Sequence, residues 1–77
     1  MTKGNTFFAS KETVLRRERE RMGLSCADLA RIAWMNVSEV SKIELGRVLP
    51  YEKQARRIAS AIQWSGALED LFKPVED

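Results

Sequence analysis

GLSCADLARIAWMNVSEVSKIELG, residues 23–46, is the stretch on which the fold turns. Ser25 stands ahead of one helical pattern, with Asp28 three residues on. Asn36 stands ahead of a second, with Glu39 three residues on. Each is an acidic variant of the capping box, in which side-chain oxygens satisfy amides that a helix start leaves free. Leu29, Ala30 and Ala33 recur at helical spacing after the first cap, and Met35, Val40 and Ile43 do so around the second. Two short helices joined by a turn of a few residues make a helix-turn-helix. Gly46 suits the left-handed position just past the second helix.

On these residues the stretch resembles the Cro and phage-repressor family, the XRE class. That family reads LRxxRxxxGLSQxxLAxxxGVSxxxISxIExG. Leu15, Arg16, Arg19, Gly23, Leu24 and Ser25 match without a gap. So do Leu29, Ala30, Val40, Ser41, Ile43, Glu44 and Gly46. The resemblance runs from about Val14 to Phe72 and implies an all-α, compact five-helix domain of the lambda-repressor-like type. It also implies a structural ion pair between Arg19 and Glu44, tying helix one to helix three.

The flanks read as further helices. Residues 1–10 carry few helix signals and are expected to form a mobile tail, in which Phe7 and Phe8 can staple back on helix one. The domain is placed at 11–73 and a C-terminal tail at 74–77. Ser10 is the expected cap of a first helix running to Met22, whose apolar face starts with Val14 and Leu15. Its outer surface, RRERER, alternates charge and reads as a solvated face. Helix two is expected from Cys26 to Ala33 and helix three from Val37 to Leu45. Helix four is expected from Tyr51 to Gln63, with Ala55, Ile58, Ala59 and Ile62 inward. Ser65 and Gly66 open a short fifth helix that Leu68, Leu71 and Phe72 pin to the core, and Pro74 ends it. Trp64 is read as core or as a dimer seam.

Composition narrows the function. Seventy-seven residues make one small domain. Thirteen basic and 11 acidic residues give a net charge of +2, which permits nucleic-acid binding without demanding it. A single cysteine rules out an internal disulfide and suits a reducing cytosol. No apolar run approaches the ~20 residues of a membrane span. There is no histidine, metal-ligand cluster, glycine-rich phosphate loop or nucleophile with a base, so neither an enzyme nor a cofactor or metal site is expected. The setting this suggests is bacterial, cytoplasmic and linked to a mobile genetic element.

In DNA-binding members of the family, helix three enters the major groove. Carried over, Val37, Ser38, Ser41 and Lys42 would face bases, and Arg47 would support the backbone contact. Six positions depart from that pattern. Cys26 replaces a phosphate-contacting glutamine, Ile32 a charged residue, and Trp34 the turn glycine. Val37 replaces a polar reader, and Leu45 and Val48 replace polar or basic residues. A tryptophan in place of the turn glycine requires the turn to be either remodelled or strained. Between Cys26 and Pro50 three basic residues (Arg31, Lys42, Arg47) cancel three acidic ones (Asp28, Glu39, Glu44). No arginine, glutamine or asparagine lies within helix three for a bidentate base contact, since Asn36 serves as its cap.

Two readings follow. One is a DNA-binding repressor, expected as a dimer, that inserts helix three (37–45) into an operator. The other is an antiactivator that holds a transcriptional activator by protein contact, through an interface of Cys26, Ile32, Trp34, Val37, Leu45 and Val48. Small antiactivators of this fold occur on integrative and conjugative elements, and the chain loosely resembles them. The apolar substitutions tip a narrow balance to protein contact. For Trp34 and Ile32 the competing reading is inward packing. For Cys26 it is a small residue at a helix start, against a thiol acidified by the helix N-terminus.

Overall fold

Four of the helices begin and end by local chemistry that can be followed atom by atom. The computed structural model describes residues 12–75. Within them lie α1 (Val14–Arg21), α2 (Cys26–Ile32), α3 (Val37–Glu44), α4 (Glu52–Ala61) and α5 (Leu68–Leu71). Among the described residues there is no strand, only an isolated antiparallel bridge between Thr13 and Pro74.

The cap of α1 is Thr13, not Ser10, which lies outside the described residues. Thr13 Oγ1 accepts from the Arg16 amide at 3.3 Å and donates to the Glu44 carbonyl at 2.9 Å. The threonine wins because it sits one residue before the first apolar position and has a long-range partner. For α2 the capping box is complete. Asp28 N donates to Ser25 Oγ, and Ser25 N to Asp28 Oδ2, both at 3.0 Å. For α3 only half of the expected box forms. Asn36 Oδ1 accepts from the Glu39 amide at 3.1 Å, while the Glu39 carboxylate accepts from Gln54 Nε2 of α4 at 3.4 Å. Tyr51 precedes α4 rather than starting it, and its amide donates to Gln54 Oε1 at 3.0 Å. The fifth helix starts at Leu68, later than Ser65–Gly66. The Trp64 indole donates to the Ala67 carbonyl at 2.9 Å and occupies the space beside Gly66, where a Cβ would fall 2.8 Å from the ring.

All four longer helices end in the same Schellman motif, in which two amides beyond the helix close back on its last carbonyls. The amides of Leu24, Met35, Arg47 and Trp64 donate to the carbonyls of Arg19, Ala30, Lys42 and Ala59. The residue before each of those amides is left-handed. It is Gly23 and Gly46 in two helices, but Trp34 (φ 61°) and Gln63 (φ 58°) in the others. The turn between α2 and α3 is therefore not remodelled around its tryptophan: it keeps the glycine geometry and carries the strain.

The core follows the expected spacing. Leu15, Leu29, Val40, Ile58 and Leu71 are fully buried, one from each helix. Ala30, Ala33, Ile43 and Ile62 complete the cluster, and Met35, Ala59, Trp64 and Phe72 pack partly against it. α2 packs on α3 and α4, while α1 and α4 pack on α5. The packed domain reaches Val75, two residues past the boundary placed at 73. Val75 is buried, and its amide donates to the Glu12 carbonyl at 2.9 Å.

Arg19 and Glu44 form the ion pair that the resemblance implies. Arg19 Nε and Nη2 meet the two Glu44 carboxylate oxygens at 2.5 and 3.0 Å, and Nη1 donates to the Leu24 carbonyl at 2.7 Å. Glu44 is 3% exposed, so this fork is shielded from water. Its carboxylate in turn raises the Arg19 pKa, chiefly through the hydrogen bond. Removing one partner strands a buried charge. Arg19→Ala or Glu44→Ala is expected to lower the unfolding free energy by about 3–5 kcal/mol in urea titrations, whereas Arg21→Ala on the exposed side of α1 should leave it nearly unchanged.

Candidate functional site

The outer face of α3 is what its inner face leaves over. Val40, Ile43 and Glu44 point into the protein. At about 100° per residue this turns Ser38, Ser41, Lys42 and Leu45 outward, with Val37 at the edge of the inward stripe. Val37, Ser38 and Lys42 are exposed, and Ser41 and Leu45 are half-buried. Lys42 is the one basic residue on this face. Its side chain and that of Arg47 make no hydrogen bond or ion pair among the described residues.

Other basic side chains near the face are engaged within the protein. Arg31 pairs with Asp28 at 3.0 Å, and Arg56 with Glu52 at 2.7 Å. Arg57 Nε donates to the Ala33 carbonyl at 3.0 Å, bracing the end of α2 from α4. Asp28 carries a lowered pKa, because it accepts from the Ser25 amide and then from the Ser25 and Arg31 side chains. It therefore stays ionised through the neutral range and keeps its hold on Arg31.

Trp34 does not pack inward. It is 85% exposed, and Ile32, Val37 and Val48 are also exposed. Trp34 borders an open groove of about 590 Å³, whose other walls are Ala30, Arg31, Met35, Asn36 and Glu39. The other five residues read from sequence as an interface do not line it. Cys26 and Val37 are brought together elsewhere, with the thiol 4.0 Å from the Val37 carbonyl. Sequence reasoning misses two exposed side chains, Leu49 (80%) and Tyr51 (79%). The available signal is Pro50, which holds the connection extended and stops its neighbours from folding back.

The Cys26 thiol is not acidified. Burial and then the Glu44 carboxylate raise its pKa, against smaller opposing effects from Arg19 and Arg16. Partial burial beside a carboxylate disfavours the thiolate, in keeping with the reading of Cys26 as a small residue at a helix start. At neutral pH Cys26 should react with iodoacetamide more slowly than the thiol of a short unstructured peptide, as followed by mass spectrometry.

Among the described residues no group of three histidine, cysteine, aspartate or glutamate side chains is placed to hold a metal ion. No described helix is long and apolar enough to cross a membrane.

A helix folded on these caps, with a second helix presented outward across a tight turn, is the architecture of a helix-turn-helix protein. The helix-turn-helix domain family matches residues 13–72, well over half of the chain, and the protein belongs to that family. Membership supports a regulatory role of the DNA-binding type. No curated protein and no solved structure matches the chain significantly.

Trp34 and Gln63 allow the cost of the tight turn to be measured. A left-handed non-glycine residue is strained by ~1–2 kcal/mol, less what glycine loses in chain entropy on folding. Both side chains are exposed, so truncation gives up little burial. Trp34→Gly and Gln63→Gly should each raise the unfolding free energy by about 0.5–1 kcal/mol in chemical denaturation.

Proposed function

We propose that this protein is a small cytoplasmic transcriptional regulator that inhibits a transcriptional activator by binding it through the α2–α3 face. The observation that carries the reading is Trp34. Its indole stands in solvent at a turn whose backbone favours glycine. A residue kept in a strained conformation without a packing role inside the chain points to a role outside it. Tryptophan is the residue type most often found at binding hot spots, where a partner desolvates it. Ile32, Val37 and Val48 are further exposed apolar side chains outside the groove, and Arg31 and Glu39 give the groove a polar rim.

Operator binding by α3 is the second reading, and the outward placement of Ser38 and Lys42 favours it. Against it stands the charge. One lysine on the outer face of α3, with Arg47 beyond, can neutralise few phosphates, and non-specific affinity scales with how many are neutralised.

A titration with short mixed-sequence duplex DNA at low salt, followed at each backbone amide, separates the two. Protein contact predicts no salt-reversible shifts in residues 36–42 even at high DNA concentration. Shifts there that vanish with salt would return the function to operator binding. Val37→Arg with Glu39→Gln adds charge to the same face and should weaken activator binding. Trp34→Gly should keep the fold, gain stability and lose the partner, while Gln63→Gly should keep the partner.

A further inference from the structure

The groove beside Trp34 carries an unbalanced charge. Its walls hold two charged residues, Arg31 and Glu39. Arg31 is already held by Asp28 at 3.0 Å, so its charge is cancelled locally. Glu39 is exposed and has no ion pair among the described residues. Its carboxylate accepts one weak hydrogen bond, from Gln54 Nε2 to Oε2 at 3.4 Å, which leaves Oε1 open. The Trp34 indole is 85% exposed, and no described cation of this chain rests on its ring.

We infer that this groove receives an arginine side chain of the bound protein. The inference rests on the reading of the groove as the activator-binding site, and it gives the chemistry of what enters. A carboxylate without a counter-charge and a bare aromatic face each attract a cation, and both are walls of the same groove. Arginine suits the pair better than lysine. A planar guanidinium lies flat on an indole while its edge meets a carboxylate through two N–H groups. Ala30 and the half-buried Met35 give the methylene stem an apolar floor. An anionic group would be repelled by Glu39. A wholly apolar one would strip water from that carboxylate and return no hydrogen bond.

The test follows the backbone amides and the Trp34 indole of the full chain as acetyl-Leu-Arg-Leu-amide is added. A twin peptide carries citrulline in place of arginine, which keeps the shape and removes the charge. The arginine peptide should shift the indole and the amides of residues 34–39 with a dissociation constant of roughly 1–10 mM. The citrulline peptide should bind about threefold more weakly or worse. Glu39→Gln keeps the size of the side chain and the amide that Asn36 caps. It should weaken the arginine peptide by roughly two- to fivefold and leave the citrulline peptide unchanged. Trp34→Gly should lose the shifts with both peptides.

Equal binding of the two peptides, absence of shifts across that concentration range, or arginine binding by Glu39→Gln equal to wild type would each overturn the inference. None of these outcomes touches the activator-binding reading, which the duplex DNA titration decides by itself. With DNA silent, that reading would stand as an apolar contact through Trp34. Salt-reversible DNA shifts in residues 36–42 would overturn both, because a groove flanking a DNA-reading helix is not an activator site.

Discussion

Glu44 is the residue through which the helices are tied. Its carboxylate takes the Arg19 guanidinium in a two-pronged bond, and the same guanidinium reaches the Leu24 carbonyl. Its own carbonyl accepts from both the amide and the hydroxyl of Thr13. Thr13 caps α1 and pairs with Pro74 behind α5. One residue at the end of α3 thus fixes the start of α1, the loop after α1 and, through Thr13, the C-terminal segment. A buried charge tolerates little displacement, because any movement that breaks the fork leaves it uncompensated in a poorly solvated place. The orientation of α3, and so of its outer face, depends on that constraint.

The helix ends explain how the face is presented. Four Schellman closures make the connections short and leave few conformations to the chain between helices. Where glycine occupies the left-handed position the closure is nearly free of strain. At the α2–α3 turn the same geometry is imposed on Trp34. The imposed backbone aims the indole away from the core. Arg57 braces this turn from α4 by binding the Ala33 carbonyl, so the tryptophan rests on a fixed base.

Charge is distributed by pairing rather than by accumulation. On α1, Arg16 and Arg21 meet Glu20 and Glu18, and on α4 Arg56 meets Glu52. Near the turn, Arg31 is held by Asp28. A guanidinium already paired with a carboxylate contributes less to binding a phosphate than its formal charge suggests. The most exposed apolar side chains fall into two separate places, at Trp34 and at Leu49 and Tyr51. Neither group can be satisfied by the core, which the inward faces of the five helices already fill.

Much of this was legible in the sequence. Ser25 with Asp28 sets the start of α2, and Asn36 sets that of α3. The spacing of Leu15, Leu29, Val40, Ile58 and Leu71 places the core, and Arg19 and Glu44 stand where the family pairs them. Such features depend on neighbours three or four residues away, or on a periodicity that survives any change of context. The remainder depended on residues distant in sequence. Thr13 displaced Ser10 as the cap because Glu44 offered it a partner 31 positions on. Glu39 left its own capping box for Gln54 of α4. The Cys26 pKa is raised because the fold buries the thiol in part and brings Glu44 near it. The exposure of Trp34, Leu49 and Tyr51 was settled only once five helices had met. Burial is a property of how elements pack, and the pattern along one element does not contain it.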